Sequence, residues 1–490
     1  MIKKTAWLAL RITVFVISSF LLVAITLILA KAIAARGGPE LEWWHMAAIS
    51  AEFNAKDKKT VTTLKQYLAI EADVFQELEV LEGTAANVNI SAKLNRYREG
   101  NDAYPVKAGQ NLNRSSQMSL DSPRGGVLLL HGMTDSPYSM RNLAALFHAQ
   151  GFYVLNLRLP GHGTIPGELD RIQWQDWLAA VQLGAKHVAG QLEAEQPFYI
   201  AGYSNGGSLA LKYAMDSLAE TEFRTPDRLI LLSPMIGVNA LAKFSRLFYW
   251  LGRLEYFRHS RWMGVIPEFD PHKYNSFPMN AGLQGYKLTT TVKQQLQRMS
   301  AKGELEQMPP ILTFQSLVDA TVITAATLDS LYEKLPHNGS ELVMFDVNRL
   351  DVLATYILPE HKLLLNRAMN QGTGNYTVSV VTNRSGKDAR VLELRQVAGI
   401  PGFVSRSLPY NWPEDVYSLT HVALPFPLDD EVYGLEPADL DSGFPNLGRV
   451  QILGENGALI LPPALLQRLR SNPFYPYIET RIKSIIAEDL

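Results

Sequence analysis

Residues 198–211 read FYIAGYSNGGSLAL, and this stretch decides the fold of the chain. Its first residues are apolar and predict a buried strand, whereas the residues from Ser208 onward predict the start of a helix. Between them stands Gly202-x-Ser204-x-Gly206, a spacing that lets a serine project from the strained turn between a strand and a helix. Glycine on either side of the serine relieves the crowding of that turn, because glycine has no Cβ. We therefore predict a nucleophilic serine, Ser204, at the end of a buried strand.

Short apolar runs alternate with helical patterns on both sides of this stretch. The runs predict buried strands at residues 126–130, 152–157, 229–232 and 311–315, with helices between most of them. Strands that are apolar throughout are typical of a parallel sheet that is covered on both faces. The predicted fold class is therefore α/β, with a mostly parallel sheet and helices on both faces.

The rest of the chain divides by composition. Residues 237–308 interrupt the alternation and are rich in aromatic and basic side chains. This indicates a lid over the site; contact with a membrane surface, or an inserted subdomain with its own core, are the alternatives. The predicted segments are 1–36, an N-terminal anchor or signal; 37–120, a helical lead-in that is a stalk or a packing helix; 121–236 and 309–349, the two parts of the core; 237–308, the lid; 350–416, an insertion; and 417–490, a histidine loop and C-terminal extension.

The N-terminal segment contains an uncharged apolar run, residues 12–30, that is long enough to span a bilayer. Because it is longer than a usual signal-peptide core, we expect an uncleaved transmembrane helix; a cleaved signal and a buried helix are the alternatives. Lys3, Lys4 and Arg11 precede the run, and this positive excess favours a cytoplasmic N-terminus. The catalytic part would then face outside the cytoplasm, in the periplasm if the source is bacterial.

Composition excludes several classes of function. The 490 residues carry a formal net charge of −2 without a long basic block, so no nucleic-acid surface is expected. The chain has no cysteine, which excludes disulfides, thiolate metal sites and a cysteine nucleophile. It also lacks the H-E-x-x-H, P-loop and dinucleotide-binding patterns, so we predict neither a metal nor a cofactor.

A serine nucleophile needs an acid and a histidine base, and in this type of fold they follow the serine in that order. Asp319 directly follows the last predicted core strand and is the candidate acid. Its alternative role is to cap the helix that begins near Val322, and Asp351 is the alternative acid. His421 lies in a loop-like setting and is the candidate base, with His361 as the alternative.

The oxyanion of an acyl-transfer reaction needs hydrogen-bond donors beside the serine. One is the backbone N–H of the residue after the nucleophile, Asn205. The other is expected in the loop after the first core strand, at Met133, where Gly132 permits a close approach of the backbone. We interpret the neighbouring His131 as a side chain that holds this loop.

Several motifs together resemble the α/β-hydrolase superfamily, and most of all the branch of monoacylglycerol lipases, carboxylesterases and serine-aminopeptidase-like hydrolases. The resemblance implies an α/β-hydrolase fold with Ser204 as nucleophile, Asp319 as acid and a histidine near the C-terminus as base. Ser418-x-x-His421 is similar to the family's histidine loop. The long stretch between Asp319 and His421, the lead-in and the tail after Asp429 depart from the family pattern. The matching motifs, in chain order, are Leu130-His131-Gly132-Met133-Thr134, Pro160-Gly161-His162-Gly163, Gly202-Tyr203-Ser204-Asn205-Gly206-Gly207 and Val318-Asp319.

These observations predict a membrane-anchored serine hydrolase that cleaves carboxylic esters through an acyl-enzyme. The aromatic segment and the anchor favour an apolar acyl substrate, such as a monoglyceride or a lysophospholipid. A peptidase or amidase on the same scaffold is an alternative that needs an acidic pocket, for which Glu268 and Asp270 are the candidates. A non-catalytic binding module is a further alternative, against which the intact Ser204 and Asp319 argue.

Overall fold

The computed structural model describes residues 2–35, 37–85, 95–237, 248–249, 251–319, 321–351, 357, 359–369, 374–413, 416, 418–439, 443–448 and 470–490. Part of the predicted lid, residues 238–247 and 250, lies outside the described residues. So do parts of the predicted insertion and of the C-terminal extension.

The described helices begin near the N-terminus and end at the C-terminus of the chain. They are α1 Ile2–Ala35, α2 Trp43–Met46, α3 Leu64–Ala85, α4 Arg141–Ala149, α5 Pro166–Leu169, α6 Trp174–Ala189, α7 Asn205–Ser217, α8 Met279–Lys302, α9 Thr324–Ser330, α10 Pro359–Met369 and α11 Tyr475–Asp489. Short 3₁₀ turns lie at Ala55–Lys59, Pro137–Met140, Glu255–Arg261, Glu304–Gln307, Tyr332–Lys334 and His421–Ala423.

The described strands form one large sheet and two small hairpin-like pairs. They are β1 Val106–Lys107, β2 Gln110–Asn111, β3 Ser116–Met118, β4 Gly125–Leu130, β5 Phe152–Leu157, β6 Phe198–Tyr203, β7 Arg228–Leu232, β8 Trp262–Gly264, β9 Phe277–Pro278, β10 Ile311–Ser316, β11 Glu341–Phe345, β12 Thr377–Ser385, β13 Asp388–Gln396 and β14 Val404–Asn411.

Ten of these described strands form the large sheet, in the order β14-β13-β12-β11-β10-β7-β6-β4-β5-β3. The strands from β12 to β5 in this order pair in parallel. β3, β13 and β14 pair antiparallel at the two sides. The mostly parallel sheet confirms the predicted α/β class. Because parallel strands end at the same edge, the loops after β4, β6 and β10 come together there.

Helices cover both faces of the sheet, as predicted. Leu128 and Leu130 of β4 enter the core that includes α6, α7 and α8. Val127 and Leu129 of the same strand enter the opposite core, which includes α4 and α11. Successive side chains of a strand point to opposite faces, so a strand that is buried on both sides is apolar at every position.

The lead-in packs against this core. Phe53, just before α3, and Tyr67 on α3 belong to the same hydrophobic core as α6. Arg158, buried directly after β5, forms ion pairs with Glu52 at 2.9 Å and with Glu71 at 3.2 Å. Leaving such a buried charge unpaired costs roughly 3–5 kcal/mol, so these contacts fix the lead-in to the end of β5. α3 and the residues before it thus pack against the main core.

The described part of the predicted lid contains two different kinds of structure. The turn Glu255–Arg261 and the pair β8–β9 leave several apolar side chains exposed, among them Leu254, Tyr256 and Met263. In contrast, α8 buries Leu288, Val292 and Leu296 in the main core. The second half of this segment is therefore part of the main core.

The predicted insertion widens the sheet. β12 continues the parallel order beside β11, and β13 and β14 follow as antiparallel strands at the edge. α11 covers this region and buries Ile478, Ile482, Ile485 and Ile486. The chain thus adds three strands to the sheet before it reaches the turn that contains His421.

The apolar run near the N-terminus lies within α1. Its span Leu10–Ala30 has a mean hydropathy of 2.8, and none of it is buried. It is long and apolar enough to cross a bilayer, which makes it a candidate membrane anchor or signal sequence. α1 contacts the turn Glu255–Arg261 of the predicted lid.

Candidate active site

The predicted nucleophile lies in a strained turn. β6 ends at Tyr203, α7 begins at Asn205, and Ser204 between them has φ 53° and ψ −112°. These angles are unfavourable for a residue with a Cβ, and such strain is typical of functional positions. The backbone oxygen of Ser204 accepts from Gly207 N at 3.0 Å, which ties the turn into the helix.

The two motif glycines are required by close backbone contacts. A Cβ on Gly202 would lie 2.4 Å from the backbone oxygen of Gly206. A Cβ on Gly206 would lie 2.1 Å from the backbone oxygen of Leu130 at the end of β4. Both distances are far below van der Waals contact, so either substitution requires a backbone shift. The spacing of the motif therefore follows from sterics.

The predicted oxyanion donors lie in neighbouring segments. Asn205 is the first residue of α7, where the backbone N–H groups have no acceptor within the helix. Gly206 packs against the backbone of Leu130 and His131. The start of α7 therefore lies directly against the loop that carries Met133.

His131 holds that loop through both ring nitrogens. Its Nε2 accepts from the backbone N–H of Leu159 at 3.0 Å, and its Nδ1 lies 2.9 Å from the backbone oxygen of Gly132. This pairing is that of the neutral ring with the proton on Nδ1. Burial lowers the pKa of His131 far below its ordinary value, and the neighbouring His162 lowers it further. The geometry is that of a structural side chain.

The structure brings the candidate acid and the candidate base together. His421 Nδ1 and Asp319 Oδ2 are 2.8 Å apart, and both side chains are almost completely buried. The turn His421–Ala423 lies against the nucleophile strand, because the Tyr203 hydroxyl donates to the backbone oxygen of His421 at 3.3 Å. The rings of Tyr203 and His421 are 5.2 Å apart.

The two oxygens of Asp319 have different partners. Oδ2 meets His421, while Oδ1 accepts from the backbone N–H groups of Thr321 at 2.8 Å and Val322 at 2.9 Å. Asp319 thus contacts the candidate base, whereas its two backbone contacts lie in the turn before α9, a helix that begins at Thr324 with Ile323 as its N-cap. Burial raises the pKa of Asp319, but His421 and the two amides lower it more, so the net pKa lies below its ordinary value. The carboxylate is therefore held ionised.

The alternative acid and base have other surroundings. Asp351 is exposed, and its backbone N–H donates to Gly386 in the turn between β12 and β13. His361 lies in the first turn of α10, and the exposed His337 precedes β11. Among the described residues, the candidate acid Asp319 and the candidate base His421 are within hydrogen-bond distance of each other.

Glu268 and Asp270, the candidates for an amine-binding pocket, are engaged elsewhere. Glu268 accepts from the backbone N–H groups of Asn275 and Ser276, and its burial raises its pKa to about 7. Asp270 accepts from the Tyr433 hydroxyl at 2.6 Å and from backbone groups of its own loop. Both carboxyl groups are buried and serve to shape the loop.

Two further side chains at the site were not predicted from the sequence. Ser316, the last residue of β10, donates its hydroxyl hydrogen to the backbone oxygen of Leu419 at 2.8 Å and joins the acid's strand to the histidine loop. Asp135 lies buried in the loop after β4. An acid three residues after the glycine of the His-Gly motif is a signal that sequence reasoning could have used, whereas nothing in the pattern around Ser316 indicates its partner.

Comparisons with known proteins find relatives for part of the chain. Residues 121–347 match the hydrolase family model described as "Serine aminopeptidase, S33". A thermostable monoacylglycerol lipase of Bacillus sp. (strain H-257) is 36% identical over 114 residues, which are 23% of this chain and 42% of that protein. The chain therefore spans less than half the length of the curated relative that it matches.

Solved structures with similarity to the chain include two lipases. A monoacylglycerol lipase from Paleococcus ferrophilus is 17% identical, with 47% of this chain and 88% of that chain covered and a TM-score of 0.35. A soluble variant of a monoglyceride lipase from Saccharomyces cerevisiae is 14% identical, with 50% and 88% covered and a TM-score of 0.35. The chain has an α/β-hydrolase fold, and its residues 121–347 are similar to the hydrolase family that this model describes.

Proposed function

We propose that the chain is a serine hydrolase that cleaves carboxylic esters through Ser204, His421 and Asp319. The observation that carries the proposal is the 2.8 Å contact between His421 Nδ1 and Asp319 Oδ2, beside the strained turn that presents Ser204. An imidazole whose Nδ1–H is held by a buried carboxylate keeps Nε2 free to take a proton.

The proposed reaction has two halves. Ser204 Oγ attacks the ester carbonyl while His421 Nε2 takes the hydroxyl proton, and the backbone N–H groups of Met133 and Asn205 stabilise the oxyanion. The C–O bond then breaks, and His421 gives its proton to the departing alcohol, which leaves an acyl-enzyme on Ser204. In the second half, His421 takes a proton from water, which attacks the acyl carbon. The acid is released and the proton returns to Ser204.

We further propose a lipid ester with an apolar acyl chain as substrate. The curated relative is named a monoacylglycerol lipase. We propose that this chain also cleaves a glycerol ester of that kind. The exposed apolar side chains Leu254, Tyr256 and Met263 support a lid that contacts such a substrate, because a large apolar surface is costly to leave in water.

We propose that α1 is an uncleaved membrane anchor and that the catalytic part lies outside the cytoplasm. The basic residues before the apolar span support this orientation. The chain has no cysteine, so Lys302→Cys at the exposed end of α8 gives one labelling site. Labelling of intact cells or spheroplasts by a membrane-impermeant maleimide is expected; labelling only after lysis would reverse the orientation.

The main test is labelling of the full chain by a fluorophosphonate probe. Wild type and His361→Ala should react, whereas Ser204→Ala and His421→Ala should not, because the probe needs an activated serine. Loss of labelling in His361→Ala, with His421→Ala still reactive, would transfer the role of base to His361. A folded wild-type chain that does not react would favour the binding module.

Substrate choice separates the two enzymatic hypotheses. A set of monoacylglycerols of different chain length is expected to be hydrolysed, and aminoacyl anilides are expected to remain intact. The buried, backbone-bound Glu268 and Asp270 offer no free acid for a substrate amine. Faster cleavage of the anilides than of the esters would replace the esterase proposal with a peptidase.

A further inference from the structure

A loop of the predicted lid segment holds the segment that carries the proposed oxyanion donor. We call residues 268–276 the clamp loop and residues 131–136 the oxyanion loop. Tyr274 N donates to the backbone oxygen of Thr134 at 2.8 Å, and Lys273 Nζ lies 3.3 Å from Asp135 Oδ1. Two consecutive residues of the clamp loop thus contact two consecutive residues of the oxyanion loop.

The clamp loop is itself fixed to the core. The Tyr274 hydroxyl accepts from the backbone N–H of Thr164 at 2.7 Å and lies 3.2 Å from the backbone oxygen of Gly161. The Asn113 side chain donates to the backbone oxygen of Pro271 at 2.9 Å and accepts from the Ser136 hydroxyl at 2.7 Å. The clamp loop therefore contacts both the loop after β4 and the loop after β5. Its position can thus determine the position of the oxyanion loop.

The oxyanion loop needs such an external hold. Thr134 has φ 65°, an unfavourable conformation for a residue with a β-branched side chain. Asp135 folds back over Gly132, since its Oδ2 lies 2.6 Å from the point where a Cβ on Gly132 would be. Met133, whose N–H is the proposed donor, lies between Gly132 and Thr134. Thr134, the residue after this donor, thus has a strained backbone conformation. The carboxylate of Asp135 covers Gly132, the residue before it.

The charge of Asp135 has one close cationic partner among the described residues. Asp135 is 5% exposed, and the titratable groups that influence its pKa are Lys273, Asp270 and His421. Burial raises the pKa of Asp135, and the ion pair with Lys273 opposes this rise. A buried carboxylate that loses its partner must shift its position or its protonation state.

We propose that Lys273 and Asp135 are a positioning pair that holds the backbone N–H of Met133 in line with the oxyanion. This inference rests on the proposed function and adds a residue of the lid segment to the catalytic arrangement. Neither side chain touches the reacting atoms; the pair acts through the shape of the oxyanion loop. An oxyanion donor that moves affects the transition state more than substrate binding, so the expected change is in kcat and not in KM.

The experiment uses the full chain and measures kcat, KM and the rate of fluorophosphonate labelling. Lys273→Met removes the charge and keeps the stem of the side chain, and it should lower kcat and the labelling rate by about tenfold with KM within about twofold. Lys273→Arg keeps the charge and should restore most of kcat. Lys302→Met is the matched control, because Lys302 pairs with Glu304 at the exposed end of α8, and it should behave as wild type.

The possible outcomes separate this inference from the proposed function. A wild-type chain that does not react with the probe contradicts the proposed function itself. A reactive wild type with an equally active Lys273→Met overturns only the positioning pair, and so does a loss that appears in KM alone. If Lys273→Met does not fold, the double variant Asp135→Asn/Lys273→Met removes the buried charge together with its partner. That variant should fold and show the same loss of kcat, and a wild-type kcat there also overturns the inference.

Discussion

The two parts of the proposed catalytic centre are held in place in different ways. The nucleophile turn lies within a few consecutive residues, and its shape follows from glycines that touch each other and the end of β4. The proposed acid and base come from positions 102 residues apart, and the chain forms β11, β12, β13 and β14 between them. The first part is encoded by local spacing, whereas the second depends on contacts that only the complete sheet provides.

This difference predicts two kinds of mutational effect. A change in the nucleophile turn alters backbone packing in the middle of the sheet, so it should affect folding as well as activity. A change in Asp319 or His421 removes a contact between two loops at the end of the sheet. It should therefore affect activity while the fold remains. The following experiments test this comparison, beginning with the largest expected effect.

The largest effect is expected for Asp319→Asn. The amide keeps the size of the side chain but does not hold the imidazole in the required tautomer, so kcat for ester hydrolysis should fall by about 10⁴-fold. The thermal midpoint should change little. Asp351→Asn is the matched control and should retain wild-type kcat, because that side chain is exposed beside the turn between β12 and β13. Equal kcat values in the two variants would contradict the assignment of the acid.

The sequence was sufficient for the turn around Ser204 and for the sheet because both depend on local patterns. The apolar runs of β4, β5, β6, β7 and β10 indicate strands that are buried on both faces, and the structure contains each of them. The glycine spacing around Ser204 predicts the strained turn for the same reason, since the steric contacts involve neighbouring residues. The prediction of an α/β-hydrolase fold is confirmed on this basis.

Residue spacing alone does not distinguish the two candidate bases. His361 and His421 both follow the acid along the chain, and spacing does not reveal which strand pairs with β11. Chain order gives His421 a slight preference, and the similarity of Ser418-x-x-His421 to the family's histidine loop strengthens it. The role of the insertion was equally hidden, because β12 joins the parallel sheet while β13 and β14 reverse direction. The Lys273–Asp135 contact joins distant segments and has no signal in spacing at all.

The next effect in size concerns stability. Gly206→Ala would place a Cβ 2.1 Å from the backbone oxygen of Leu130, so the start of α7 or the end of β4 must move. We expect a loss of about 4 kcal/mol in the free energy of unfolding, which is the range of severe core substitutions. Gly264→Ala is the control, because a Cβ there would meet open space. Chemical denaturation of both variants checks this, and two equal midpoints would contradict the steric account of the motif.

A smaller effect is expected where the two parts of the acid–base region are joined. Ser316→Ala removes the hydrogen bond from β10 to the backbone oxygen of Leu419 and leaves that acceptor buried. The free energy of unfolding should fall by about 1 kcal/mol, and kcat should fall several-fold because the histidine loop loses a support. Ser484→Ala, at an exposed serine that bonds within α11, should change neither quantity. An unchanged kcat in Ser316→Ala would mean that other contacts suffice to hold the loop.

The smallest effect is a dependence of stability on pH that belongs to Asp319. Its native pKa lies below its ordinary value because His421 and the amides of Val322 and Thr321 together outweigh the effect of burial. Between these two pKa values the unfolded chain binds more protons than the folded chain, so the contribution of Asp319 is complete above the ordinary value and is lost as pH falls through the native pKa. The difference in free energy of unfolding between wild type and Asp319→Asn should therefore shrink with acidification below the ordinary carboxyl range. A difference that stays constant with pH would mean that the pair with His421 contributes to geometry without holding the carboxylate ionised.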